Sequence, residues 1–252
     1  MLAPTTLILG LGRDVGTACA RYFQEHGHNI VLASPDEAAL QRSSEELKDK
    51  TVTHHGNLHS MMGMRNALNA AFEAYQRVDN LVIIPAVPKP VSLMDVKIEE
   101  FDETTIRDAR AATLALYLFA KELKEQAPLV SDGPERLRQS GTVTFVLSMS
   151  ARLASPGRFA ESISQAAIEA VVQAGAVELA EARIRVNAIS AIRPRAEDDE
   201  PWLKTRTPLG RAALADEIAE AVGFLASPGA AIITGETLIM DGGRLQLGGT
   251  LD

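Results

Sequence analysis

The residues with the plainest chemical potential lie near the start of the chain. Gly10, Gly12 and Gly16 follow the run Thr5-Thr6-Leu7-Ile8-Leu9 and lead into a helical pattern from Val15. A strand that hands a glycine turn to a helix N-terminus makes an anion site suited to a pyrophosphate, because free amides and the helix dipole point at the ligand. Gly10 permits the tight turn, Gly12 a close backbone approach, and Gly16 close packing of helix on strand. Arg13 favours a 2′-phosphate if it faces an adenosine ribose. Asp14 opposes an anion. A carboxylate ~6 Å from a pyrophosphate costs ~3 kcal/mol at an effective dielectric of ~20. A helix N-terminus returns only ~0.3–2 kcal/mol. Asp14 therefore either repels the phosphates, caps the helix through the same amides, or turns to solvent at little cost.

Other reactive residue types read blandly. Cys19 is the single cysteine, so no disulfide within the chain is possible, and it sits on the inner pattern of the first helix as a structural thiol. His54, His55 and His59 cluster, but no carboxylate or thiol has a metal-ligand spacing with them, and a surface cluster is expected. Glu197-Asp198-Asp199-Glu200 reads as a solvated lid, with Trp202 covering a pocket or packing at an interface. Lys and Arg total 25 against 33 Asp and Glu, a net charge of −8. That balance argues against nucleic acid and anionic membranes as partners. No apolar run approaches ~18 residues, and no basic segment precedes an apolar one, so a soluble cytoplasmic protein is expected.

The elements that must position these residues alternate along the chain. Strands are expected at 5–9, 29–33, 51–54, 80–84, 142–147, 184–189 and 237–240. Helices are expected over 17–24, from Ser34-Pro35-Asp36 onward, and over 60–77, 101–126, 161–181 and 216–225. Strand and helix alternating at this spacing mean right-handed crossovers and an α/β fold with a doubly wound parallel sheet. Residues 131–140 read as a surface loop and 193–207 as a lid. No repeat or linker is visible, so one domain is expected. Pro85, Pro88 and Pro90 stiffen a loop at the carboxyl edge of the fourth strand, where such sheets bind ligands.

With the whole chain read, it resembles the short-chain dehydrogenase/reductase family from about Thr5 to Gly243. The most specific matches are Ile184-Arg185-Val186-Asn187-Ala188, Pro208-Leu209-Gly210-Arg211, Glu217-Ile218-Ala219 with Phe224-Leu225-Ala226-Ser227, Ile233-Thr234-Gly235-Glu236-Thr237-Leu238 and Asp241-Gly242-Gly243. The resemblance implies a three-layer Rossmann fold of about seven parallel strands, an NAD(H) or NADP(H) site and usually a tetramer. Cofactor contacts would fall on Gly10, Gly12, Arg13, Gly16, Ser34 and Asn57. Asn57 matches an adenine-contacting aspartate and equally suits a loop-capping role. Ala33 and Ser34 close the second strand without an acidic residue, which tilts the choice toward NADP. Asp36 is either a substitute acid or an ordinary residue of the helix start.

The departures from the family bear on chemistry. The middle glycine of G-x-x-x-G-x-G is Asp14. The N-N-A-G motif reads Ile83-Ile84-Pro85-Ala86. The family's active-site asparagine, tyrosine and lysine fall on Asp108, Glu161 and Gln165, while its serine is kept as Ser148. The P-G after the sixth strand reads Ala191-Ile192, and the nicotinamide-facing threonine falls on Ala196. In the family a tyrosine exchanges the hydroxyl proton, and a lysine one turn on lowers its pKa and holds the ribose. Positions 161 and 165 share a helix face, so the geometry survives. A glutamate carboxyl ordinarily titrates at ~4.3, so it is a poor proton donor near neutrality unless burial raises its pKa. Gln165 carries no charge but can hydrogen-bond a ribose.

Three functions follow from these positions. The first is a catalytically degenerate member, a pseudoenzyme acting as a structural or regulatory subunit in a homo-oligomer or a mixed tetramer with an active homologue. Here Asp108 and Glu161 are expected to be solvated in an open cleft. The alanine-rich stretches 109–120 and 166–180 suit helix packing between subunits. The second is a working NAD(P)-dependent oxidoreductase that uses Glu161 or Asp108 for proton transfer. The third is a lyase or isomerase with the same acid/base pair. Tyr117 is read as a packing residue.

Overall fold

Alternate residues of each strand face different cores, and that alternation places the helices. The computed structural model describes residues 3–12, 14–47, 51–129, 134, 139–192, 203 and 205–249, with the side chain of residue 103 left out. The elements run β1 (Thr5–Leu9), α1 (Val15–Glu25), β2 (Asn29–Ser34), α2 (Glu37–Leu47), β3 (Thr51–His55), α3 (Met61–Tyr75), β4 (Asn80–Ile83), α4 (Ile98–Glu125), β5 (Gly141–Ser148), α5 (Phe159–Leu179), β6 (Ile184–Ala191), α6 (Ala215–Ala226) and β7 (Thr237–Met240). All seven strands form one parallel sheet in the order β3-β2-β1-β4-β5-β6-β7.

Leu7, Leu9, Leu81, Ile83, Val143 and Phe145 pack with Ala67, Leu68, Phe119, Ile168 and Val172 from α3, α4 and α5. Ile8, Ile30, Leu32, Val82 and Ile189 pack on the other face with Ala18, Phe23, Leu40, Ile218 and Val222 from α1, α2 and α6. Both faces of the sheet are covered, which is why the strands read as continuous apolar runs. Cys19 lies fully buried in the second core, where burial pushes its thiol up to about 12 and leaves it inert. The expected elements are all present with small shifts. α4 begins at Ile98 rather than Phe101, with Glu99 and Glu100 in its first turn, where acids suit the helix dipole. The helix after Pro35 begins at Glu37, and Asp36 caps it by accepting from the Ala39 amide at 2.9 Å. Among the described residues, no helix is long and apolar enough to cross a membrane. The 131–140 loop and the 193–207 lid lie largely outside the described residues, Ala196 and Trp202 included.

The amino edge of the sheet carries a buried polar chain. Thr142 donates to Asn80 Oδ1 at 2.7 Å, Asn80 Nδ2 to Thr6 Oγ1 at 3.3 Å, and Thr6 Oγ1 pairs with His28 Nδ1 at 2.9 Å. Burial lowers the His28 pKa from 6.5 to about 4, with Asp79 opposing the shift and His26 adding to it. A depressed pKa means that the unfolded chain binds the extra proton in that interval. His28 therefore withdraws stability as pH falls from about 6.5 toward 4 and has no effect above that window. Urea melts over this range should show a steeper acid loss in the parent chain than in His28→Asn. Equal slopes would mean that His28 is not the group responsible.

Candidate active site

The carboxyl edge of the sheet brings the glycine turn, the β4–α4 loop and the start of α5 together. Gly10 leaves β1 with φ +87°, and its amide donates to the Ala33 carbonyl at 2.8 Å. A Cβ there would lie 2.3 Å from the Ile84 carbonyl oxygen at the end of β4, so only glycine lets the two strand ends meet. Gly12 also takes a positive φ, +50°. A Cβ on Gly16 would sit 2.7 Å from the Leu11 Cα, so Gly16 seats α1 against the turn. Asp14 occupies the N-cap of α1, but its carboxylate makes no capping hydrogen bond and the residue is exposed. The side-chain capping role is therefore not adopted. The positive-φ glycines and the N-terminus of α1 form a cradle that fits a nucleotide pyrophosphate. Arg13 lies outside the described residues.

The remaining nucleotide candidates are used locally. Ser34 is buried at the end of β2, and its hydroxyl accepts from the Asp36 amide at 3.1 Å. Asn57 Oδ1 accepts from the His59 amide at 2.9 Å, which is the loop-capping role.

Ser148, Glu161 and Gln165 meet as the family geometry requires, but their surroundings differ from an open proton relay. Glu161 is 2% exposed. Its Oε1 accepts from the hydroxyls of Ser148 at 2.7 Å and Ser150 at 2.8 Å. Its Oε2 faces Arg158 Nη1 at 2.7 Å, and Arg158 is itself buried. The same Nη1 donates to the Pro88 carbonyl at 3.3 Å. Gln165 Oε1 accepts from the Ser148 amide at 3.0 Å. The expectation of solvated acids in an open cleft is wrong for both acids. Burial forces Glu161 to find a cation, and Arg158 supplies it from the N-cap position of α5, three residues earlier.

Asp108 is buried beside α5, where Ser164 Oγ donates to its Oδ2 at 2.9 Å. Its Oδ1 lies 3.6 Å from His59 Nε2 and 3.5 Å from Arg107 Nε. His59 is thus a half-buried neighbour of a carboxylate rather than one of a surface cluster. Desolvation and then Arg107 lower its pKa, with Asp108 opposing. Tyr117 is 58% exposed, so it is not a packing residue within the chain.

Sequence reasoning missed Arg158, Ser150 and the place of His59 beside Asp108. The i,i+3 spacing of Arg158 and Glu161 was the available signal for the first. The other two depend on chain segments that meet only in the fold.

Comparison with known proteins gives a consistent answer. The family model described as enoyl-(acyl carrier protein) reductase matches residues 10–244. The chain is 26% identical to short-chain dehydrogenase reductase 3a of Arabidopsis thaliana, covering 94% of this chain and 93% of that one. It is 31% identical to short-chain dehydrogenase RED2 of Pyricularia oryzae, covering 91% and 92%. Among solved structures it is similar to the 3-ketoacyl-(acyl-carrier-protein) reductase of Brucella melitensis complexed with NADH. The TM-score is 0.85 at 28% identity, covering 96% and 98% of the two chains.

Removing one partner of a buried ion pair leaves an uncompensated charge and costs about 3–5 kcal/mol. Glu161→Gln should therefore lower Tm by roughly 10 °C. The double substitution Glu161→Leu with Arg158→Met should recover most of that loss, because it leaves no charge stranded. Thermal and urea melts of the three proteins check this. A single variant melting within ~2 °C of the parent would show that the pair carries no structural load.

Proposed function

The chain belongs to the short-chain dehydrogenase/reductase family, and from that footing we propose that it is a nucleotide-binding subunit whose proton relay has become a structural charge cluster. The carrying observation is the buried Glu161, held at 2.7 Å by Arg158 and by the hydroxyls of Ser148 and Ser150. A guanidinium and two hydroxyl donors already engage this carboxylate, which is almost wholly buried. Ser148 donates its hydroxyl to Glu161 and so belongs to the same cluster. Gln165 brings no positive field and is bound to the Ser148 amide.

Nucleotide binding is the retained half of this reading. The backbone of Gly10 and Gly12 would hold the pyrophosphate of NAD(H) or NADP(H) against the N-terminus of α1, whose amides the Asp14 side chain leaves free. When bound, such a cofactor supplies hydride transfer at its nicotinamide. The neutral end of β2 at Ser34 supports a preference for NADP. The NADH complex of the Brucella reductase, which has the same fold, also supports nucleotide binding.

A subunit role in the cytoplasm, in a homo-oligomer or a mixed tetramer with an active homologue, fits the outer helix faces. α4 and α5 pack on each other inside the chain, with Gly175 beneath Leu116. They still expose Ile106, Tyr117 and Val177. The acid/base readings, oxidoreductase or lyase, both need Glu161 or Asp108 to exchange a proton with a substrate, and both carboxylates are almost wholly buried.

Calorimetry should show NADH or NADPH binding to the purified chain. Saturation at a hundred times Kd adds ~2.7 kcal/mol of stability. Nucleotide oxidation with a panel of aldehydes and ketones should stay at background. Turnover above background that disappears in Glu161→Gln, measured below its melting temperature, would overturn the subunit reading and restore Glu161 as a proton shuttle.

A further inference from the structure

We propose that the cavity between the β4–α4 segment and the start of α5 binds a small amphipathic carboxylate, its tail inside and its head on Lys89. The cavity has a volume of about 240 Å³, enough for one small organic molecule. Pro88, Val91, Val96, Phe159 and Ala160 form apolar walls. Phe101 supports Phe159 from behind, with ring centroids 5.9 Å apart.

The polar groups that reach the cavity can be accounted for one at a time. The Thr104 hydroxyl donates to the Glu100 carbonyl at 2.9 Å. The Glu100 carboxylate faces Lys97 Nζ at 3.1 Å. Glu161 is neutralised by Arg158. Lys89 is an exposed residue of the lining, with no hydrogen bond or ion pair among the described residues. Both carboxylates in the lining thus have a cationic partner, most of the remaining lining is apolar, and Lys89 carries a positive charge without a counterion among the described residues. A hydrocarbon alone would leave the ammonium unused, and an amine would be repelled by it. An anion with a short apolar body satisfies both parts.

The site is also preformed. The Val91 amide donates to the Gly157 carbonyl at 2.9 Å, and Arg158 donates to the Pro88 carbonyl at 3.3 Å. These two links hold the β4–α4 segment against the start of α5, so little ordering cost remains for a ligand to meet. None of the lining residues belongs to the glycine turn, and the test needs no nucleotide. Failure here would leave the proposed nucleotide binding untouched.

Sodium hexanoate titrated into the full chain, followed by two-dimensional NMR, should shift resonances of Val91, Val96 and Ala160 with a Kd of about 1 mM. Lys89→Glu, at an exposed position that spares the fold, should weaken hexanoate about tenfold and leave 1-hexanol within about twofold. The proposal is overturned if hexylamine binds as tightly as hexanoate, or if Lys89→Glu leaves hexanoate affinity unchanged. It is also overturned if no saturation is reached by about 20 mM, or if the shifts fall outside the cavity.

Discussion

A carboxylate buried at the carboxyl edge of the sheet must be neutralised, and the arrangement of that edge follows from how this is done. Glu161 enters at the first turn of α5 with almost no contact with solvent. Arg158 provides the compensating charge and, through the same nitrogen, holds the Pro88 carbonyl of the neighbouring loop. Ser148, the last residue of β5, and Ser150 just beyond it both donate to its Oε1. One ion pair thus joins the β4–α4 loop, the β5 terminus and α5. Its worth to stability is the penalty avoided by pairing a charge already buried, rather than a large gain from the pair itself.

The same edge contains two regions that are held in different ways. The glycine turn is held by backbone geometry, because Gly10 has a positive φ and lies beneath the Ile84 carbonyl. Its anion-binding capacity therefore persists with the fold. The proton-transfer positions are held only by side chains, and side chains can be exchanged without disturbing the sheet. Close similarity of fold to active reductases is compatible with a site whose chemistry has changed, since function resides in particular groups rather than in the architecture. The cavity beside Phe159 shows the same independence, because its walls come from the loop and helix starts and not from the glycine turn.

Much of this was legible in the chain itself. The strands announce themselves as apolar runs because both sheet faces are covered, and the glycine spacing announces the turn because few other residues tolerate that backbone. The positions of Ser148, Glu161 and Gln165 on the site followed from their spacing relative to the family pattern. These are local properties, carried by residue type and by separations of a few positions along one strand or helix.

The environment of those residues was decided by the tertiary structure. Whether Asp14 faces phosphate or water depends on the direction of one side chain at a helix end. Whether Glu161 is a free acid or half of an ion pair depends on its burial, which the β5 terminus and the Pro88 loop impose from outside α5. His59 meets Asp108 only because α3 and α4 lie on the same face of the sheet. Spacing along the chain thus determined where the chemistry-bearing groups would be. Contacts between distant segments determined their partners and exposure, because desolvation and charge pairing act through space.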